Sequence, residues 1–369
     1  MSYFHLNLIL KGKLTVCCLL MLSVIPLNAQ REAKQIGDFK ESISLNEHLR
    51  GTKRTLQYRP DGDEFVCVNG KNRYTRALYG SHSPFRVETS DRPVFAFYNN
   101  GRGGNISFKV ILRDGTELAL DCTGHCESRY SAGKRTYYLT DPSWGKGELR
   151  IVVLALADMD GAIWRFSPSN MPKGAILRWQ HGGATGKRLS RNGDMGVDPA
   201  DCFELPVEAT DLVTGELPLQ KEVYLVRGEV PEGYNVRKLY QQAEAASLAL
   251  ASHLKIETPD PYLNTLGGAL VAAADGIWDG QVWLHGAIGW RMPLSGWRAG
   301  YTGDALGWHD RARTHFDAYA ASQVTDVPNT IPHPAQDSTM NLARSEKRWG
   351  TPQYLSLIHI SEPTRQEAI

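Results

Sequence analysis

The sequence predicts a β domain followed by a helical domain, and a change of pattern along the chain indicates this order. From about 53 to 230, short apolar stretches are separated by Gly and Asp turns, which is typical of an all-β sandwich. From Val236 onward, apolar residues recur every three or four positions, as in an amphipathic helix. The chain of 369 residues is also longer than one ordinary domain.

Two segments of the β part illustrate the strand pattern. Residues 106–112 alternate between apolar and polar side chains and are followed by an Asp-Gly turn, as in a β-hairpin. Residues 151–157 are continuously apolar, and the run is short enough for a strand that is buried on both faces. We therefore expect antiparallel strands joined by tight turns, one of them covered on both sides.

Three helices are predicted in the second part, the first over about 236–254. Asp260 is placed to cap the second helix, with Pro261 at its first position. Its buried face is expected to carry Leu263, Leu266, Leu270, Ala273 and Ile277. Residues 278–301 are rich in Gly and Trp and predict a loop, and the third helix is expected over about 305–323.

The charge balance excludes some classes of function. There are 41 basic and 40 acidic residues, a formal net charge of +1, so no broad basic field is present to attract nucleic acid. The glycine-rich run at 181–187 lacks the spacing of a phosphate-binding loop, and no helix is expected to follow it. We predict no nucleic-acid partner and no cofactor.

The N-terminus predicts export. Residues 1–29 contain Lys11 and Lys13, then an apolar run over 14–27, then a plausible cleavage site before Gln30, as in a secretory signal. The run is short for a bilayer, so no stable membrane span is expected after cleavage, the alternative being an N-terminal anchor. The protein is expected in the periplasm or outside the cell, and residues 30–52 are expected to form a flexible lead-in.

The C-terminus resembles something other than a protein fold. Residues 355–365 read LSLIHISEPTR, which resembles the translated end of a sequencing adapter, so 355–369 is expected to be an artefact. The alternative is a genuine strand over 355–360 followed by a tail. On the first interpretation the natural protein continues beyond Tyr354, and the chain is the front part of a larger one.

Four cysteines remain after the signal is removed: Cys67, Cys122, Cys126 and Cys202. In an exported protein they can form two disulfides, with three possible connectivities, or remain as buried thiols. Cys122, His125 and Cys126 also offer zinc-type ligands, but no second ligand pair stands at zinc-finger spacing. We therefore predict no metal site.

The segment from Trp278 to Tyr319 is the candidate site. It holds five of the nine tryptophans, interleaved with Asp, Arg and His. Flat aromatic rings suit the C–H faces of sugars, polar side chains suit the hydroxyls, and carboxylates can serve as general acid or base at a glycosidic bond. The alternative is that the tryptophans are core residues and the charges a solvated helical face.

Four segments carry a family resemblance: 257–264, 284–293, 296–304 and 307–315. Residues 257–264 and 296–304 resemble segments of the six-hairpin (α/α)6-barrel glycosidases. Residues 284–293 and 307–315 more closely resemble a family of secreted bacterial proteins known only as a domain of unknown function. The resemblance runs over about 54–354. It implies a multi-domain chain, β then α, with an N-terminal β-sandwich over 53–230. The start of a truncated (α/α)6 barrel would follow over 231–354.

The resemblance also implies glycan hydrolysis and assigns roles. Asp304 matches an acidic position of the α-L-rhamnosidase-like pattern, but the acid expected upstream is missing from the stretch that contains Arg291. Asp304 is either catalytic or only the cap of the third helix. We predict Asp304 and Asp310 as catalytic residues. The predicted carbohydrate-binding residues are Trp290, Arg291, Trp297, Arg298, Trp308 and His309.

The expected function is therefore that of an exported glycoside hydrolase acting on a polysaccharide or oligosaccharide. The chain itself is expected to be inactive, because about three barrel helices cannot close a ring around a substrate. Two alternatives stay open: a non-catalytic glycan-binding protein and a glycan phosphorylase of related architecture. Binding without turnover would favour the first, and phosphate-dependent release of a sugar phosphate would favour the second.

Overall fold

The computed structural model describes residues 57–70, 74–99, 102–183, 212–284 and 296–321. The predicted signal (1–29), the lead-in (30–52), Cys202 and the adapter-like tail (355–369) lie outside these residues. The strands are β1 (Arg59–Asp61), β2 (Glu64–Val68), β3 (Tyr74–Leu78), β4 (Arg86–Ser90), β5 (Phe95–Asn99), β6 (Arg102–Ile111), β7 (Glu117–Ala119), β8 (His125–Ser131), β9 (Lys134–Thr140), β10 (Glu148–Ala155), β11 (Gly161–Ser169), β12 (Ile176–Gly183), β13 (Val213–Pro218) and β14 (Val223–Gly228). The helices are α1 (Val236–Ala251), α2 (Pro261–Gly276), α3 (Gly296–Ala305) and α4 (His309–Ala321).

The strands form two antiparallel sheets. The first sheet has the order β1-β2-β8-β9-β10-β11-β14, and the second has the order β13-β12-β6-β5-β4-β3, with β7 paired to β6. Most neighbours in the first sheet are joined by short turns, such as the one between β8 and β9 where Gly133 has a φ of 70°. The sandwich predicted from the strand pattern is present in the described residues.

Aromatic side chains fill the space between the sheets. The Phe95 ring of β5 meets the rings of Tyr137 and Trp164 from the first sheet edge-on, with centroids 5.7 and 5.5 Å apart. Ile106, Phe108 and Val110 of β6 are all buried, as the alternating pattern predicts. The core therefore lies between the sheets and takes every second residue of their strands.

The outer face of the first sheet is also covered. Leu239, Tyr240 and Ala243 of α1 pack against Val152, Leu154 and Ile163, and all six side chains are buried. The apolar run of β10 therefore has the core on one face and α1 on the other, as predicted. Burial of these aliphatic side chains stabilises the fold by roughly 1.5–3 kcal/mol each.

The predicted start of α2 is confirmed, but its predicted buried face is wrong. Asp260 Oδ1 accepts a hydrogen bond of 2.8 Å from the backbone N–H of Tyr262, with Pro261 as first helical residue. Leu263 and Leu270 are exposed, whereas Gly267, Val271 and Ala272 are buried. A Cβ on Gly267 would lie 2.8 Å from the carbonyl oxygen of Leu254, so α2 packs through its small residues.

The prediction that residues 231–354 begin an (α/α)6 barrel is wrong. Within the described ranges only four helices follow the strands, and α1 packs on the first sheet. On α2, Thr265 Oγ1 donates a hydrogen bond of 2.8 Å to the carbonyl of Gly62 beside β1. In a six-hairpin barrel these helices would pack against other helices instead. A helical period shows that one face is buried but not what buries it.

Residues 296–321, predicted as the end of a loop followed by one helix, form two helices with a turn between them. α3 ends in a Schellman motif, which consists of two backbone hydrogen bonds. The N–H of Trp308 donates to the carbonyl of Gly303 at 2.8 Å, and the N–H of Gly307 donates to the carbonyl of Asp304 at 2.9 Å. Gly307 has a φ of 72°, which favours glycine. The alternative that Asp304 only caps the third helix is therefore wrong, because Asp304 lies near the C-terminal end of α3.

Candidate functional site

Four of the predicted site residues lie together where α3 turns into α4. We call residues 304–311 the α3–α4 corner, and it contains Asp304, Trp308, His309 and Asp310. Trp297 and Arg298 belong to α3, but only their backbone is described, and Trp290 and Arg291 lie outside the described residues. The roles predicted for these residues remain predictions.

An exposed carboxylate–imidazole pair stands at the α3–α4 corner. Asp304 Oδ1 lies 3.1 Å from Nδ1 of His309, and the two side chains are 56% and 74% exposed. With the proton on Nδ1, the imidazole donates to the carboxylate and its Nε2 faces outward as an acceptor. Asp310 is exposed in the first turn of α4, where a negative charge suits the helix dipole. The corner therefore presents two carboxylates and one imidazole to solvent.

Trp308 is half-buried between two polar side chains. The imidazole of His253 stacks on its ring at a centroid distance of 5.2 Å and an interplanar angle of 28°. The guanidinium carbon of Arg311 lies 4.5 Å from the Trp308 centroid, within the range of a cation–π contact. His253 is itself held by a hydrogen bond between its Nε2 and the carbonyl of Leu306.

Arg311 connects the corner to the β-sandwich through Asp275 at the end of α2. Its Nη1 donates a hydrogen bond of 2.7 Å to Asp275 Oδ1, and His82, from the loop between β3 and β4, approaches the same oxygen at 3.2 Å. Burial alone would raise the pKa of Asp275, but the hydrogen bonds from His82 and Arg311 outweigh it and lower that pKa. Asp275 is therefore a buried, ionised carboxylate that orients Arg311.

Replacing Asp275 by Asn is expected to lower the free energy of unfolding by about 3 kcal/mol, because it leaves the Arg311 charge without its partner. The measurement is urea unfolding at pH 7, followed by tryptophan fluorescence. Asp317→Asn is the control, because Asp317 is exposed on α4. Equal stability of the two variants would contradict an energetic role for the Asp275–Arg311 pair.

A second buried ionic cluster lies next to Asp275. Arg86 of β4 is fully buried, and its Nη2 donates a hydrogen bond of 2.7 Å to the carbonyl of Gly276. Its guanidinium lies 4.7 Å from the centroid of the Tyr79 ring. A Cβ on Gly276 would lie 2.2 Å from that ring, so the end of α2 rests directly on Tyr79.

Glu88 belongs to the same cluster. Thr89 pairs with the core residue Phe95 and so faces inward, which places Arg86 and Glu88 on the outer face of the second sheet. Burial raises the pKa of Glu88 to about 7, although Arg86 acts in the opposite direction. Two nearby carboxyl groups, Glu88 and Asp275, therefore have pKa values shifted in opposite directions.

The three tryptophans of the candidate segment whose side chains are described differ in burial: two are core residues and one is half-buried. Trp278 and Trp283 form a buried cluster with Ala312, as the core alternative predicts. Trp283 Nε1 donates a hydrogen bond of 3.1 Å to the carbonyl of Ala274, and its backbone N–H donates one of 3.1 Å to Nδ1 of His315. Trp308 packs against this cluster and is half-buried, and its predicted role in ligand binding stays a prediction.

The sandwich contributes residues to this region that were not predicted from the sequence. His82 and Arg86 lie about 190 residues before the α2 residues that they contact. The strand β4 (RVETS) resembles an ordinary strand with one solvent-facing side. The available signal was local: Arg and Glu two positions apart share a strand face. That signal does not tell a solvated face from one that a later helix covers.

Three of the four cysteines lie in the described residues, and they are reduced thiols. No disulfide joins Cys67, Cys122 or Cys126, and burial raises the pKa of the Cys126 thiol to about 12. Cys126 Sγ lies 3.7 Å from the carbonyl oxygen of Asp91, within a weak hydrogen bond. In the part of the chain described here, no three His, Cys, Asp or Glu residues are grouped to hold a metal ion. Over the same part, no helix is long and apolar enough to cross a membrane.

Comparison with known proteins adds one finding. Residues 100–228 match a family model described as a domain of unknown function (DUF4450). The match covers β6 to β14 and agrees with the resemblance to a family of unknown function. No curated protein matches the chain.

Proposed function

We propose that this protein is exported and cleaves a glycosidic bond by general acid–base catalysis. One observation carries the proposal: the exposed Asp304–His309 pair, 3.1 Å apart, stands directly beside the half-buried Trp308. A carboxylate, an imidazole and an aromatic ring on one surface are suited to a sugar, since they match its hydroxyls and its apolar face.

The proposed division of labour follows from the contacts. Asp304 sets the tautomer of His309, whose Nε2 can then take a proton from a sugar hydroxyl or from water. Asp310, one residue further on, is the candidate for the second carboxylate that glycosidic cleavage ordinarily requires. Arg311 is held in place by Asp275 and supports Trp308, so it is a positioning residue rather than a catalytic one.

Non-catalytic glycan binding is the second candidate, and one observation favours it. The ring of Trp308 already carries the His253 imidazole and the Arg311 guanidinium at 5.2 and 4.5 Å. Such a stack presents a rigid, cationic edge that suits binding of hydroxyl groups without any chemical step. Because residues 231–354 do not begin a barrel, an unclosed ring is not a reason to expect an inactive chain.

The test is reducing-end release from a panel of polysaccharides, each measured with and without inorganic phosphate. We expect turnover by the wild-type chain, and we expect Asp304→Asn to lower kcat by about a hundredfold or more while glycan binding is kept. Asp317→Asn, on the exposed face of α4, is the matched control and should keep full activity.

The other outcomes are distinct. Binding by the wild-type chain with no turnover on any glycan would replace hydrolysis by the binding function. Release of a sugar phosphate only when phosphate is present would indicate a phosphorylase. Full activity of the Asp304→Asn variant would remove Asp304 from the mechanism.

A further inference from the structure

A guanidinium lies in the opening between the two sheets, remote in sequence from the α3–α4 corner. Val226 of β14 packs toward α1 on the outer face of the first sheet, so the next residue, Arg227, faces the second sheet. Trp179 and His181 of β12 pair with Phe108 and Ile106 of the core and so share the inward face. These three residues, Arg227, Trp179 and His181, form what we call the sheet-mouth cluster.

The contacts of Arg227 fix its position. Its Nε donates a hydrogen bond of 3.1 Å to Nδ1 of His181, and its guanidinium carbon lies 4.9 Å from the Trp179 ring centroid. The Trp179 ring in turn lies against β13, since a Cβ on Gly215 would be 2.6 Å from it. Because His181 Nδ1 accepts this bond, the proton of the neutral imidazole is on Nε2, which makes that nitrogen a donor.

In the described part of the chain, the guanidinium of Arg227 faces inward without a carboxylate beside it. Within the described residues it contacts no carboxylate, whereas Arg178 bonds Glu216 at 2.8 Å and Glu117 at 2.9 Å. Arg227 is half-buried, and burial lowers its pKa. A cation that faces into a sandwich without a counter-charge is unfavourable, and a bound anion would relieve this cost.

We propose that the sheet-mouth cluster binds the carboxylate of an acidic glycan, with Arg227 as the anion-contacting residue. The Nε is used by His181, so the two Nη atoms face the ligand, and their fork matches the two oxygens of a planar carboxylate. That the anion is carried by a glycan rests on the proposed function; that the cluster binds an anion does not.

The test is isothermal titration of the full chain with trigalacturonic acid, and with galactotriose as the neutral analogue. We expect binding of the acidic trisaccharide only, at least tenfold weaker for Arg227→Gln and intermediate for Arg227→Lys. The matched control is Arg178→Gln, which removes the same charge from the exposed face of the neighbouring sheet and should bind like wild type. Thermal melting checks that each variant is folded, and if Arg227→Gln is not, Arg227→Lys decides.

Each remaining outcome has a meaning. Wild-type affinity in a folded Arg227→Gln variant, or an equal loss in Arg178→Gln, overturns the site. Equal affinity for both trisaccharides also overturns it. Competition by free galacturonate supports the anion site, whereas competition by sulfate alone would overturn the choice of a carboxylate. Since no turnover is measured, failure of the hydrolysis proposal leaves this test intact, and failure here leaves hydrolysis untested.

Discussion

Glu88→Gln is expected to stabilise the folded chain at pH 8 by about 3 kcal/mol and to change it little at pH 4. The pKa of Glu88 is raised by burial to about 7 in the folded state, from 4.5 when exposed. Below pH 4.5 the carboxyl is neutral in both states, so it places no charge in the protein interior. Between about pH 4.5 and 7 the unfolded chain releases this proton while the folded chain keeps it, so stability falls until the folded carboxyl also ionises near pH 7.

The measurement is the free energy of urea unfolding at several pH values between 4 and 8 for wild type and variant. The difference between the two should grow with pH, because glutamine cannot ionise. Glu148→Gln, on the exposed first residue of β10, is the matched control and should show no such growth. A constant difference across this range would show that Glu88 is not held neutral by its surroundings.

Gly303→Ala is expected to destabilise the chain by about 2 kcal/mol or more, although this exchange usually stabilises a helix by about 1 kcal/mol. A Cβ on Gly303 would lie 2.4 Å from the Trp283 ring and 3.2 Å from the Ala312 side chain. Trp283 is buried and bonded through its Nε1, so it cannot move aside cheaply. The reversed sign makes the prediction specific to this contact.

Thermal and urea unfolding check this second prediction, together with glycan turnover or binding. Since Gly303 precedes Asp304, a shift of α3 should also weaken function at the α3–α4 corner. Ala305→Gly is the control, because Ala305 is exposed at the end of the same helix and the reverse exchange should cost at most about 1 kcal/mol. Unchanged or increased stability of Gly303→Ala would mean that α3 does not pack closely on Trp283.

The sequence was sufficient for features that depend on near neighbours along the chain. The Asp-Pro cap of α2, the alternation in β6 and the doubly buried β10 all follow from local chemistry that the fold keeps. The buried face of α2 did not follow, because leucines were expected inside while the helix packs through Gly267 and other small residues. Close approach of backbones is a tertiary requirement and leaves no periodic apolar signal.

The candidate site shows the same limit. Asp304, Trp308 and His309 were found because they are close in sequence, and Arg311 lies in the same segment. His82 and Arg86 were missed, because only the packing of the β3–β4 loop and of β4 against α2 brings them there. The barrel prediction was wrong for a related reason, because the apolar face of α1 is buried against a sheet rather than against other helices. Which surface buries a helix depends on residues far away in the chain.

Because α1 covers the outer face of the first sheet, the strands cannot be separated from this helix without exposing apolar side chains. The stretch matched by the family model, residues 100–228, holds β6 to β14 but neither β1–β5 nor α1. Without the rest of the chain, this stretch would have β6 and β8 as open sheet edges. The outward-facing side chains of Val152, Leu154 and Ile163 would also be exposed to solvent. If residues 100–228 were grafted into another protein, β1–β5 and α1 would therefore have to be included to keep the graft soluble.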